Sequence, residues 1–140
     1  MNYVAQLEAE HNQCIFCGSE NPHGLQLKFN TTEKGVYSEF VLDKRFQGYA
    51  GIAQGGIVAG VLDCAMTHCL FKMKVRALTA RLNVRYRHEV PIEQELNVSA
   101  GLSETVHDCY VLKAKLCRGR KVLATAEGFF MPVEAKEPLT

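Results

Sequence analysis

Apolar and polar positions change period along the chain in a way that predicts its elements. Leu25-Gln-Leu-Lys-Phe29 alternates at period two, residues 31–35 carry turn formers, and Val36-Tyr-Ser-Glu-Phe-Val-Leu42 is extended again, which predicts a β-hairpin. From about Gln54 to Met73 the chain is apolar almost all round, the signature of a long buried helix. Lys72 and Lys74 sit at its carboxyl end, where the helix dipole favours cations. Period two returns over residues 78–88, 95–102, 109–117 and 121–131, interrupted by Pro91, by residues 105–108 and by Arg118-Gly119-Arg120. These predict four long strands following one another as a meander. Two strands, a helix and four strands make an α+β order: a six-stranded antiparallel sheet wrapped around one central helix.

Residues 1–23 are polar and end in the turn Asn21-Pro22-His23-Gly24, so they read as an amino-terminal arm outside the core. Residues 24–134 form the single domain and 135–140 a carboxyl-terminal tail. A length of 140 residues fits one domain and not two. Sixteen basic and fifteen acidic residues leave a net charge of +1, which argues against a nucleic-acid coat or a membrane-surface binder. The first residues lack a basic start with an apolar core, and the longest apolar run is shorter than the ~20 residues of a membrane span, so a cytoplasmic location is expected. The six cysteines read as reduced thiols, three of them inside apolar helix or strand patterns.

Against that background one residue stands out. Asp63 is the only permanent charge between Phe46 and Phe71, in the middle of the apolar helix. Burying an unpaired carboxylate costs several kcal/mol and raises its pKa, so a folding-only sequence would place Leu or Ala there. Asp63 is therefore a candidate catalytic group. Gly55-Gly56 opens the same helix, where free N–H groups and the positive dipole end suit a developing oxyanion. Gly56 and Asp63 share a face but stand about 10 Å apart at ~1.5 Å per residue, too far to serve one reacting atom. Two antiparallel helices would bring them together, which predicts a two-fold dimer with composite sites. Thr67, one turn beyond Asp63, either orients a water or bonds back to the carbonyl four residues earlier. His68, rotated off that face, reads as a packed core residue.

Arg81, Arg85 and Arg87 alternate along one strand with Tyr86 between them, a face suited to phosphates or simply to solvent. His11-x-x-Cys14-x-x-Cys17 with His23 offers four ligands at zinc-like spacing. A single CxxC without a second cysteine pair, and His23 in a turn, leave the expectation at no metal and no cofactor.

Cys14-Ile-Phe-Cys-Gly18 with Asn21-Pro-His-Gly-Leu-x-Leu-x-Phe29, Phe46-Gln-Gly48, Ala53-Gln-Gly-Gly-Ile57 with Leu62-Asp63, and Leu78-Thr-Ala-Arg-Leu-Asn-Val-Arg-Tyr86 together resemble the hotdog-fold acyl-CoA thioesterases of the phenylacetyl-CoA thioesterase (PaaI-like) group. The resemblance covers most of the chain. It implies a hotdog fold, a homodimer or a tetramer of paired dimers, and hydrolysis of a small or medium, including aromatic, acyl-CoA. It assigns the oxyanion donor to Gly55 and the base or nucleophile to Asp63, with Gln54 and Thr67 holding geometry. Gln47 and Gly56 fall near the substrate, and Arg85 or Arg87 near the CoA phosphates. Gln54 departs from the family's usual His: it can donate a hydrogen bond but cannot carry a proton. A non-catalytic acyl-CoA-binding module is the alternative this departure favours.

Overall fold

The computed structural model describes residues 2–134; the expected tail, 135–140, lies outside the described residues. In chain order the elements are α1 (Tyr3–Glu10), β1 (Asn30–Thr31), β2 (Gly35–Val41), a short 3-10 turn (Lys44–Phe46), α2 (Gly55–Lys72), β3 (Ala77–Tyr86), β4 (Glu95–Val106), β5 (Cys109–Arg118) and β6 (Lys121–Pro132). The strands form one antiparallel sheet in the order β1-β2-β4-β5-β6-β3.

The sheet curls around α2. Val58, Val61, Leu62, Ala65, Met66, Cys69 and Leu70 of the helix are buried against Leu96 and Val98 of β4, Leu112, Ala114 and Leu116 of β5, and Ala124, Ala126 and Phe130 of β6. Apolar residues occur nearly all round this helix because it is covered from most directions, by the sheet on one side and the amino-terminal arm on another.

Two expectations about the sheet are corrected. The strand expected over residues 25–29 is replaced by the two-residue β1, Asn30–Thr31, because residues 25–27 bond to the arm instead: the Leu25 and Leu27 N–H groups donate to the Ile15 and Phe16 carbonyls. Gln26 between them adopts φ 52°, which breaks an extended ladder. The four later strands are also not a plain meander. Only β4, β5 and β6 are consecutive neighbours, and β3 pairs with β6 at the far edge. The connection between β3 and β4 causes this: Val90 and Ile92 are buried, the Ala53 N–H donates to the Val90 carbonyl, and the Ile92 N–H donates to the Gly51 carbonyl. The chain thus crosses beside the loop that precedes α2 before it re-enters the sheet.

The arm also differs from the polar appendage expected. Leu7 of α1 is fully buried, and Phe16 inserts against α2 where Gly60 lacks a side chain. A Cβ on Gly60 would lie 2.0 Å from the Phe16 ring, so the glycine is what admits it.

Candidate functional site

The loop entering α2 is fixed by two glutamines. Gln47 Oε1 accepts from the Gly51 N–H at 3.1 Å, which braces the glycine-rich turn. Gln54 is the N-cap of α2: its Oε1 accepts from the Gly56 and Ile57 N–H groups at 2.5 and 3.2 Å. The capping satisfies two of the helix's orphan donors. It also means that the Gly56 N–H, expected to face substrate, is occupied by a side chain. The Gly55 N–H is different, for among the described residues it donates to no acceptor. The Gly55 carbonyl accepts from the Tyr86 hydroxyl at 2.7 Å, so the end of β3 is tied to the start of α2. Reading Tyr86 only as part of a basic strand missed this bond.

Eight residues further along α2, Asp63 is half-buried. Burial pushes its carboxyl above the usual carboxylate range, opposed by the Thr79 hydroxyl and more weakly by the His11 charge. Thr79 Oγ1 donates to Asp63 Oδ1 at 2.7 Å. Asp63 belongs to no ion pair among the described residues: those formed are Asp43–Arg45 and Glu10–Arg76. A structural ion pair with a distant arginine, the other way to bury such a carboxylate, is thus not formed among the described residues.

Thr79 reaches Asp63 because of a β-bulge. In β3, Leu82, Val84 and Tyr86 face the helix while Arg81, Asn83 and Arg85 face away, so strict alternation would turn Thr79 outward with the arginines. The register between β3 and β6 shifts between Thr79 and Arg81, and Thr79 comes round to the helix side. A bulge has no reliable sequence signal, so this residue could not be found by counting.

Other expected residues fall as follows. The Thr67 hydroxyl donates to the Asp63 carbonyl at 3.1 Å, the back-bonding alternative, and so steadies the helix at Asp63 rather than pointing freely at a ligand. His68 stacks on Phe29 at 4.5 Å between ring centroids and meets Phe71 edge-on at 5.0 Å. Arg85 and Arg87 line a broad concavity of about 1260 Å³ on the outer face of the sheet, with Lys34, Lys113, Lys115 and Glu127. That face is opposite to Asp63. Arg87 nevertheless follows directly on Tyr86, at the end of β3 that touches Gly55.

Within one chain, the free Gly55 N–H and the Asp63 carboxylate are separated by eight residues of helix, about 12 Å along its axis. A free N–H can donate to a carbonyl oxygen and a carboxylate of raised pKa can accept a proton, the two kinds of group that acyl transfer to water requires. β3, the strand beside both, is the long edge strand of the sheet, with Leu78 61% and Tyr86 52% exposed; the other edge is the two-residue β1.

No protein-family model matches the chain. It is 28% identical over 114 residues to acyl-coenzyme A thioesterase THEM4 of Mus musculus and 26% identical over 114 residues to that of Rattus norvegicus, covering 80% of this chain in each case. The chain spans about half the length of these curated relatives, 49% of each. Among solved structures, a thioesterase superfamily protein superposes with a TM-score of 0.78 at 21% identity over 83% of this chain and 61% of its own. A phenylacetic acid degradation-related protein from Ralstonia eutropha JMP134 does so with a TM-score of 0.76 at 20% identity, over 93% of this chain and 99% of its own. A thioesterase protein from Streptococcus pneumoniae TIGR4, solved with coenzyme A, gives a TM-score of 0.71 at 11% identity over 79% of this chain and 88% of its own. The similarity to thioesterases read from the motifs thus recurs in curated sequences and in solved structures, and the fold of this chain is the hotdog fold.

Proposed function

We propose that this protein is an acyl-CoA thioesterase, hydrolysing a small or medium acyl-CoA, aromatic acyl groups included, to the free acid and CoA. The observation that carries the reading is the pairing on α2 of an N–H at Gly55 that meets no acceptor among the described residues with a half-buried carboxylate at Asp63 that forms no ion pair there. The active form is a homodimer formed along the β3 edge, in which two antiparallel α2 helices set Gly55 of one chain beside the partner subunit's Asp63. Pairing β3 edges would also cover backbone groups and apolar side chains left open in one chain.

The Gly55 N–H donates to the thioester carbonyl oxygen and stabilises the negative charge that grows there as the carbonyl carbon becomes tetrahedral. Asp63 takes a proton from the attacking water; its oxygen bonds to that carbon, the C–S bond breaks, and CoA leaves as a thiolate. Desolvation makes Asp63 a stronger base than an exposed carboxylate, while the Thr79 hydroxyl fixes which oxygen faces the water. Gln54 holds the first turn so that the Gly55 N–H stays aimed, and Tyr86 anchors the carbonyl of the same residue. Arg87, and Arg85 one pleat behind it, receive the CoA phosphates where the nucleotide leaves the site past the end of β3.

A thiol-release assay over a panel of acyl-CoAs tests the reading. The unaltered chain releases CoA, and Asp63→Asn releases it at least about a hundredfold more slowly, the usual scale for loss of a general base. Gln54 is spent as a cap and carries no proton, which suits a module that binds acyl-CoA without cleaving it. Binding of acyl-CoA with no thiol release by the unaltered chain would establish that second reading and end the first.

A further inference from the structure

The arm and α2 bring together sulfur and imidazole ligands that the proposed thioester chemistry does not use. His11, Cys14 and Cys17 place one ligand atom each within 4.8 Å of one another, and so do Cys17, Cys64 and His68. The Cys64 thiol, buried on α2, interacts with both Cys14 and Cys17. Sequence spacing pointed to His23 as the fourth ligand, but His23 is exposed and outside both groups. The second half of the cluster comes from the helix, which a count of arm residues could not supply.

We propose that Cys14, Cys17 and Cys64, with His11 Nδ1, bind one zinc ion that fastens the amino-terminal arm to α2.

Three observations carry this. The first is spacing: Zn–S near 2.3 Å and Zn–N near 2.0–2.1 Å put sulfur and nitrogen about 3.6 Å apart in a tetrahedron, and Cys17 Sγ lies 3.7 Å from His11 Nδ1. The second is a backbone already shaped around a thiolate. The Phe16 N–H donates to Cys14 Sγ at 3.4 Å, and the turn closes with the Gly18 N–H on the Cys14 carbonyl at 2.8 Å. A Cβ at Gly18 would lie 2.5 Å from the Cys14 nitrogen, so the loop needs glycine directly after the CxxC. The third is an orphan: His68 Nε2 is buried with no hydrogen-bond partner, and His68 lies in the Cys17–Cys64 group. A thiolate held on a metal gives that ring an acceptor, so His68 serves as the outer-sphere donor to Cys17. Three thiolates and one imidazole fill a tetrahedron, leaving no open position, so the ion is structural.

Metal analysis of the purified full chain should find about one zinc per chain. Titrating the chelator-stripped chain with Co²⁺ under anaerobic conditions should saturate near one equivalent with intense tetrahedral d–d bands and a sulfur-to-cobalt charge-transfer band, both removed by zinc. Cys64→Ser should weaken metal binding more than about a hundredfold and His68→Ala by about 10–100-fold, as outer-sphere losses do, whereas Cys109→Ser should leave it unchanged. Because Cys14 and Cys17 variants can lose the arm's fold, the cobalt spectrum of the unaltered chain decides independently of any variant. A chain without zinc that gives only weak octahedral cobalt bands overturns the proposal, as does a mass two hydrogens lower from a Cys14–Cys17 disulfide. Full metal binding by Cys64→Ser would overturn the ligand set.

Discussion

If each site is shared between two subunits, two dead variants should make a live mixture. The structure dictates which two. Gly55→Pro deletes the N–H assigned to the carbonyl, and it does so at the first helical position, where proline is accommodated. The residue before proline must be extended, and Gln54 already sits at φ −65° and ψ 137°. A Cβ at position 55 meets only the Tyr86 hydroxyl end at 3.6 Å, an ordinary contact. The helix should therefore survive while kcat falls about 10²–10³-fold, the usual loss for one oxyanion donor. Asp63→Asn keeps size and the Thr79 hydrogen bond but loses the base. With ~12 Å between the two positions on one helix, neither defect touches the other within a chain. After random exchange about half of the dimers are mixed, each with one intact site of two, so activity should recover to about a quarter of the unaltered level. The assay is thiol release before and after exchange, with mixed dimers confirmed by two affinity tags. Confirmed mixed dimers without recovery would refute the composite site.

Three further outcomes follow from the same geometry. Thr79→Val removes the hydrogen bond that holds the Asp63 pKa down, so the acid limb of the kcat/KM pH profile should move to higher pH, while Thr79→Ser leaves it in place; an unmoved limb in the valine variant would remove Thr79 from the site. Because folding raises the Asp63 pKa, its carboxyl favours the folded state below the unfolded value of about 3.9, and that advantage is lost as pH rises through the folded value. Asp63→Asn should accordingly raise the urea midpoint at pH 8 and lose most of that gain near pH 3.5, and equal midpoints at pH 8 would show that the carboxylate carries no desolvation cost. Arg87→Ala should raise KM for acyl-CoA, mimicked by high salt, and leave an acyl-pantetheine substrate nearly unaffected; equal losses on both substrates would make Arg87 structural.

The long helix, the strand count and Asp63 were legible because each rests on a short-range regularity: an apolar run of helical length, period-two alternation, one charge where burial forbids it. What could not be read depends on partners far apart in sequence. Residues 25–27 alternate like a strand, yet their N–H groups are taken by Ile15 and Phe16, so alternation survives without a sheet partner. The placement of β3 at the far edge follows from the crossing at Val90 and Ile92, an eight-residue segment that resembles an ordinary hairpin loop in sequence.

The site divides along the same line, and the division says what holds it. Gly55 and Asp63 are visible because a helix fixes their spacing by itself, but the residues that orient them, Tyr86 and Thr79, both come from β3, and they reach α2 from opposite ends of that strand. With strict alternation Thr79 would face outward beside Arg81 when Tyr86 faces inward, since they lie seven positions apart, an odd offset; only the extra residue of the bulge lets one strand reach both the start and the middle of the helix. β3 therefore holds both positions that α2 spaces, and it also presents the edge along which a second copy is proposed to pair. Deletion of Ala80 leaves Thr79 six positions from Tyr86, an even offset, so it should regularise the ladder, keep Thr79 facing Asp63 and leave the acid limb of the kcat/KM pH profile in place; a limb displaced to higher pH would show that the bulge does more than restore the face of Thr79.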